Sequence, residues 1–221
     1  MNYYSEQDIR EIIAGVLAQS GVGKTAAAPE GKAVPVEVSA RHVHLTTEAL
    51  ETLFGKGYQL TRKRDLSQPG EFLAGERVKL VTRKGEMDNV AILGPVRKKV
   101  QVELSLTDAR SLGLNVPVNL SGDLTGAADV VIVGPQGVVD ARGAAIAARA
   151  HVHMTPKDAR EYQVQDGQEV SIRLNTGRPI TLDGVMVRVR EDFQLAVHVD
   201  YDEANAASVS GEITGFLLKG R

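Results

Sequence analysis

Residues 41–46 read RHVHLT and residues 150–155 read AHVHMT. Four of the chain's five histidines lie in these two His-Val-His triplets. The match extends well past the histidines. A Thr-led short helical pattern follows each triplet. GERVKLV (75–81) then matches GQEVSIR (167–173), and KVQVELSLTDA (99–109) matches QLAVHVDYDEA (194–204). Registering the last pair by its tail sets Ala109 opposite Ala204 and Glu103 opposite His198, the fifth histidine. The first half is longer, with an extra loop around YQLTRKRDLSQPGE (58–71).

The segments between these landmarks decide the fold class. From Pro35 onward, short β-branched runs such as VPVEVSA, ERVKLVT, VAILGPV and ADVVIVG alternate with Gly-bearing turns. This is the pattern of a mainly β chain. Parallel βαβ units would need longer helices between the strands, so two small β-barrels related by an internal repeat fit better. The expected halves are 35–140 and 141–221, with short capping helices and with strands free to exchange between the halves.

Composition sets the outer limits. The chain has 221 residues, 43% of them hydrophobic but only 4% aromatic, with no Trp. Val, Leu, Ile and Ala must therefore fill the interior. A net charge of −2 argues against a nucleic-acid binder, which needs a broad basic surface. The local clusters RKR (62–64) and RKK (97–99) suit a small polyanion instead. With no cysteine there is no disulfide, no cysteine-ligated zinc and no cysteine nucleophile. The sequence shows neither a signal peptide's basic start and apolar run nor an apolar stretch long enough for a bilayer, so the expectation is a cytoplasmic protein without membrane contact.

At the front, Ile9, Ile12, Ile13, Val16 and Leu17 fall on one face of a helix over residues 1–20. Ser5 with Asp8 can cap its start. Residues 21–34 are small, polar and proline-marked and read as a linker. An apolar stripe on a tethered short helix needs a partner: either the protein's own body or another protein. GVGKT (21–25) resembles the end of a phosphate-binding loop, but the required glycine at position 18 is Ala and no strand precedes it.

The repeat also proposes a chemistry. Residues i and i+2 of a strand point to one face, so a His-x-His strand can grip one metal from one side. A third ligand can come from a neighbouring strand. The first half offers His42, His44 and Glu103; the second offers His151, His153 and His198. Three protein ligands with an open position is the pattern of catalytic zinc. One such triplet alone carries little weight; two in equivalent places carry much more. Two other readings stay open at this point. One is a two-metal hydrolase of an ester or phosphoester. The other is a scaffold whose metals only staple the barrels.

VSARHVHLT (38–46), GPVRKKVQVELSLTDARSLG (94–113), VNLSGDLTGA (118–127) and ARAHVHMTP (148–156) resemble, in order, the PduL-type phosphate propanoyltransferases, the phosphotransacylases of bacterial microcompartments. The resemblance covers about residues 35–215. It implies two β-barrels, two divalent metal ions, usually zinc, and the reaction of acyl-CoA and phosphate to acyl phosphate and CoA. It also implies that Arg97 binds phosphate, that Ser121 makes a second contact, and that Ser39, Arg64 and Asn205 contact CoA. Residues 1–20 resemble the encapsulation peptides that direct such enzymes into a compartment by way of its shell or core proteins. Acyl-chain length and oligomeric state, a homo-oligomer included, are left open.

Overall fold

The computed structural model describes Ser5, Gln7 and residues 31–218. The expected N-terminal helix therefore lies outside the described residues apart from those two positions, as do residues 21–30 of its tether, whereas residues 32–34, expected as the end of the tether, instead open the first strand of the barrels because Val34 is buried in a core. The chain divides into a unit of residues 1–30 and a unit of residues 31–221. Everything below concerns the second.

Its elements run β1 (Lys32–Ser39), β2 (His42–His44), α1 (Thr47–Phe54), β3 (Arg62–Asp65), β4 (Phe72–Val81), β5 (Glu86–Gly94), β6 (Gln101–Glu103), α2 (Leu106–Ser111), β7 (Val118–Asn119) and β8 (Ala128–Val133). They continue with β9 (Val138–Ala148), β10 (His151–Met154), α3 (Pro156–Tyr162), β11 (Glu169–Leu174), β12 (Ile180–Val189), β13 (Ala196–Asp200), α4 (Tyr201–Ala206) and β14 (Ile213–Leu218). The protein is mainly β, as the turn-punctuated strand pattern predicts. No helix among the described residues is long and apolar enough to cross a membrane.

Two barrels close. The first follows β4-β5-β2-β6-β9, with β8 pairing both β9 and β4 to seal it. The second follows β1-β13-β10-β12-β11-β14, with β14 returning to β1. Laid side by side, β2 matches β10, β4 matches β11, β5 matches β12, β6 matches β13 and β8 matches β14. The remaining strands, β9 and β1, are exchanged. Each begins one repeat and pairs in parallel within the barrel of the other: β1 with β13, and β9 with β6. Barrel closure removes the unpaired edges that open sheets must protect.

The triplet strands show why valine separates the histidines. Val43 and Val152 are fully buried and belong to the two separate barrel cores. Their flanking histidines point to the opposite face of the same strand. The cores are aliphatic, as composition requires: Leu45, Leu80, Ile92 and Ile132 in the first barrel, Val34, Met154, Ile172 and Leu174 in the second.

Each ligand-bearing strand meets a helix cap two residues after its last histidine or carboxylate. Thr46 Oγ1 accepts from the Ala49 N–H and Thr155 Oγ1 from the Asp158 N–H, both at 3.1 Å. Ser105 and Asp200 cap α2 and α4 in the same way. Such a cap stabilises a helix start by about 1 kcal/mol, and here it also fixes where the strand ends.

Candidate active site

The strand registers bring the candidate ligands together. His42 lies directly across from Glu103 on the antiparallel β2–β6 pair. His151 lies directly across from His198 on the β10–β13 pair. The two constellations are thus built identically, and both face one cavity of about 780 Å³ between the barrels. That volume suits a small-molecule site.

In the first set the ligand atoms of His42, His44 and Glu103 lie within 4.8 Å of one another. All three residues are buried. The His42 Nδ1–H donates to the Ala40 carbonyl at 2.8 Å, so a neutral ring presents its Nε2 lone pair outward. That lone pair faces Glu103 Oε2 across 3.5 Å. Two acceptors in this arrangement need a cation between them, a proton or a metal. A tetrahedral ion with bonds of about 2.0–2.1 Å sets its ligands roughly 3.3 Å apart, close to what is observed. The His44 ring is oriented similarly, with Nδ1 at 3.3 Å from the Leu93 carbonyl. Histidine ligands ordinarily donate their second ring N–H in this way.

Electrostatics agrees. Burial, then the neighbouring His42 and Arg97, hold His44 well below its usual value. Burial alone would raise Glu103, but His42, His44 and the Ser121 hydrogen bond outweigh it and hold the carboxyl down at about 2. Glu103 is therefore an anion at neutral pH, and His44 a neutral base.

In the second set the ring centroids of His151, His153 and His198 are 4.7 to 5.2 Å apart. His151 Nδ1 donates to the Arg149 carbonyl at 2.8 Å, repeating the contact of His42. His153 stacks on Phe193 with centroids 4.1 Å apart. Neither of its ring nitrogens has a hydrogen-bond partner among the described residues. An orphaned buried imidazole is costly unless something binds it. Burial, followed by the other histidines, lowers His153 to about 2 and His198 to about 3, while burial lowers His151 as well. Three bases converge here, but among the described residues only His42, His44 and Glu103 bring three ligand atoms within 4.8 Å of one another.

The structure brings nearly all the remaining candidates to the same cavity. Ser39, Arg64, Arg97 and Ser121 line it. Asn205 does not; it is exposed on α4. The Arg97 guanidinium pairs with Glu71 at 2.8 Å and is about one-third exposed. Its loop is fixed at both ends. A methyl group on Gly94 would lie 2.2 Å from the Phe72 ring, so glycine there lets that ring pack against the backbone. The Arg97 N–H donates to the Leu45 carbonyl at 2.8 Å, directly after the histidine strand. Ser121 sits in a turn at whose next residue, Gly122, φ is +99°, a conformation that favours glycine.

Several residues in or behind the wall were not evident from the sequence. Arg188 pairs in register with His153. Its guanidinium is partly desolvated, and burial followed by Arg190 lowers its pKa. Gln101, two residues before Glu103, is buried against that carboxylate. Glu37 lies 3.8 Å from His198 Nδ1 and accepts from Ser67 at 2.6 Å. The longer first half accounts for part of this wall: Arg64, Ser67, Gln68 and Glu71 all come from its extra segment. Gln68 ties that segment to the second barrel, with its amide donating to the Gln194 carbonyl at 3.0 Å and accepting from the Gln194 N–H at 3.1 Å.

Two repeat-related barrels, sharing a cavity lined by histidines, an ionised carboxylate and several arginines, define an enzyme site with a metal-capable floor and a basic wall. A family model described as phosphate propanoyltransferase matches residues 35–210, and the chain belongs to that family of acyltransferases. It is similar to the phosphate propanoyltransferase of Thermotoga maritima, with 52% identity over 83% of this chain and 86% of the relative. It is 47% identical to that of Alkaliphilus metalliredigens over 84% of this chain and 88% of the relative. The match to the Priestia megaterium phosphate propanoyltransferase, 45% identical, covers 96% of both chains and so reaches ahead of residue 31.

Proposed function

We propose that the chain interconverts a short-chain acyl-CoA, propanoyl-CoA or acetyl-CoA, plus phosphate with acyl phosphate plus CoA, using two zinc ions. The convergence of two three-donor sets and Arg97 on one cavity carries this reading. The names of the relatives support the substrates.

In the forward direction a phosphate oxygen bonds to the acyl carbonyl carbon, the C–S bond breaks, and CoA leaves as its thiolate. A divalent ion bound by His42, His44 and Glu103, or by His151, His153 and His198, supplies Lewis-acid polarisation and thiolate stabilisation. Arg97 holds the phosphate, because its planar fork of N–H donors matches an oxyanion better than a lysine does. Arg188, across from His153, adds positive charge to the same wall. Ser121 uses its one hydroxyl proton on Glu103, at 2.6 Å, so its part in the reaction runs through that carboxylate. We assign Ser39 and Arg64 to CoA; Asn205 would meet the cofactor only where it extends past the cavity. With no cysteine in the chain, direct transfer between two bound substrates is favoured over a thioester acyl-enzyme.

The test is release of free CoA from propanoyl-CoA and acetyl-CoA by zinc-loaded protein, with and without phosphate. Release should depend on phosphate and yield acyl phosphate in equal amount. Release at the same rate without phosphate would make the protein a hydrolase instead. We further assign residues 1–20 as the address segment that places the enzyme within a bacterial microcompartment, through shell or core proteins. Its apolar stripe and tether support that assignment.

A further inference from the structure

The two oxygens of Glu103 have different surroundings. Oε2 faces His42 Nε2 at 3.5 Å. Oε1 accepts two hydrogen bonds, from the Ser121 hydroxyl at 2.6 Å and from the Gln101 amide nitrogen. The same amide nitrogen lies 3.0 Å from Ser121 Oγ. Gln101 is itself held by the Gly122 N–H, which donates to its Oε1 at 3.0 Å. A backbone N–H can only donate, so the amide atom facing Gly122 must be the oxygen and the one facing Glu103 the nitrogen. The orientation of this buried glutamine follows from its partners. Gln101, Ser121 and Glu103 form a closed ring with every donor directed inward.

The second barrel lacks this ring. Gln101 pairs in register with His44, and the residue that pairs in the same way with His153 is Ala196. The glutamine therefore accompanies the carboxylate and not the histidine that replaces it. A barrel needs no buried amide at this position, since its repeat partner does with a methyl group.

We propose that Gln101, acting with Ser121, is a positioning residue that occupies Oε1 of Glu103 and leaves Oε2 as the single oxygen offered to a metal. A carboxylate with both oxygens free can grip an ion with two bonds and fill a further coordination position. Restricting it to one keeps a position open at the His42–His44–Glu103 site for substrate. The inference rests on the reading that these three residues hold a divalent ion.

The experiment loads full-length protein with cobalt(II) and zinc and measures two quantities apart from turnover: affinity at each site by chelator competition, and the visible spectrum of the cobalt form. Loss of an outer-shell partner typically weakens metal binding about 10–100-fold. Ser121→Ala and Gln101→Leu should weaken one site by that factor and leave the other unchanged. The cobalt spectrum should move toward the weaker absorption of higher coordination. Ser121→Thr, which retains a hydroxyl, should restore both readouts. If Gln101→Leu fails to fold by circular dichroism, the Ser121 pair of variants decides. Glu103→Ala separates the two levels of failure. If it retains both ions, the metal reading itself is wrong. If it loses one ion while Ser121→Ala and any folded Gln101→Leu keep wild-type affinity and spectrum, the positioning role is overturned.

Discussion

Arg97 and Arg190 occupy the same place in the two halves: their backbone N–H groups donate to the carbonyls of Leu45 and Met154, the residues after each histidine triplet, at 2.8 and 3.0 Å. Their side chains diverge. The Arg97 guanidinium pairs with Glu71 and is 34% exposed, whereas that of Arg190 pairs with Asp192 and is 60% exposed. Arg190 also lies over the Phe193 ring, 4.8 Å from its centroid, and Phe193 stacks on His153. The equivalent backbone positions thus present one cation held by the extra segment of the first half and one packed on an aromatic support.

Arg97→Ala should weaken phosphate use without removing metal. Hydrogen bonds to charged groups are worth about 1.5–3 kcal/mol, so the apparent phosphate affinity should drop about tenfold or more. Arg97→Lys should recover only part of this, because an ammonium lacks the planar fork. Arg190→Ala should affect phosphate less. Steady-state kinetics with phosphate as the varied substrate, beside elemental analysis, checks all three. An unchanged phosphate dependence in Arg97→Ala assigns the anion to another residue.

Glu203 gives a pH dependence outside the metal-capable residues. Its carboxylate accepts from the Asp200 N–H at 2.9 Å in the cap of α4. Burial, then Asp200 and Asp202, raises it from an ordinary value of 4.5 to about 7 despite that bond. Asp108, the repeat equivalent of Glu203, is instead paired with Arg41 at 2.8 Å. Between pH 4.5 and 7 the folded protein holds a proton that the unfolded chain has released, so stability falls as pH rises through that window. The slope is at most about 1.4 kcal/mol per pH unit. Glu203→Gln keeps an acceptor for Asp200 and removes the titration. Its melting temperature should gain on wild type at pH 8 relative to pH 4.5; parallel curves would refute the assignment.

Much of this was legible in the sequence, and the exceptions have physical causes. The paired triplets and the Ala109–Ala204 alignment correctly put Glu103 and His198 in equivalent registers, because a repeat preserves strand pairing. Exchange of strands between the halves was left open, but that β1 and β9 are the ones exchanged was not legible. A strand's period of two says which side chains are buried, not which barrel buries them. Arg188 and Arg190 in MVRVRED carry no sequence sign of the site, because the outside of the second barrel is there the wall of the cavity. Gln101 in KVQVEL gives no local sign of its carboxylate partner, although residues i and i+2 share a face. Asn205, which the resemblance alone suggested, stands off the cavity on α4.

Removing metal should make the fold sensitive to acid. His153 and His198 are held near 2 and 3 in the folded protein, chiefly by burial, against an ordinary value of 6.5. Between those values and 6.5 the unfolded chain binds protons that the folded one refuses. Metal-free protein should therefore lose stability steadily as pH falls below about 6.5, by up to about 1.4 kcal/mol per unit for each histidine. A ligand at a hundred times its dissociation constant adds about 2.7 kcal/mol, so zinc should raise the whole neutral-pH curve. Urea unfolding at several pH values, with zinc and with chelator, measures both effects. A chelated protein whose stability is flat from pH 7 to 4 would show that these histidines are not held neutral.

Deleting residues 1–20 should leave catalysis intact and abolish compartment association. Among the described residues, those lining the cavity are numbered 37 or higher, and the first barrel-forming strand, β1, begins at Lys32. Residues 21–31, which precede that strand, are small and polar enough to act as a tether. The apolar face of Ile9, Ile12, Ile13, Val16 and Leu17 is a helix-in-groove pattern, the usual form for an amphipathic segment that docks on another protein. Truncated protein should match the full chain in turnover and zinc content while no longer co-sedimenting with compartment shells. Ile12→Asp together with Val16→Asp, in the otherwise intact chain, should lose co-sedimentation too, because charge on that stripe removes its apolar contact. A fall in turnover on truncation would assign the segment to the catalytic body, and retained co-sedimentation would place the address elsewhere in the chain.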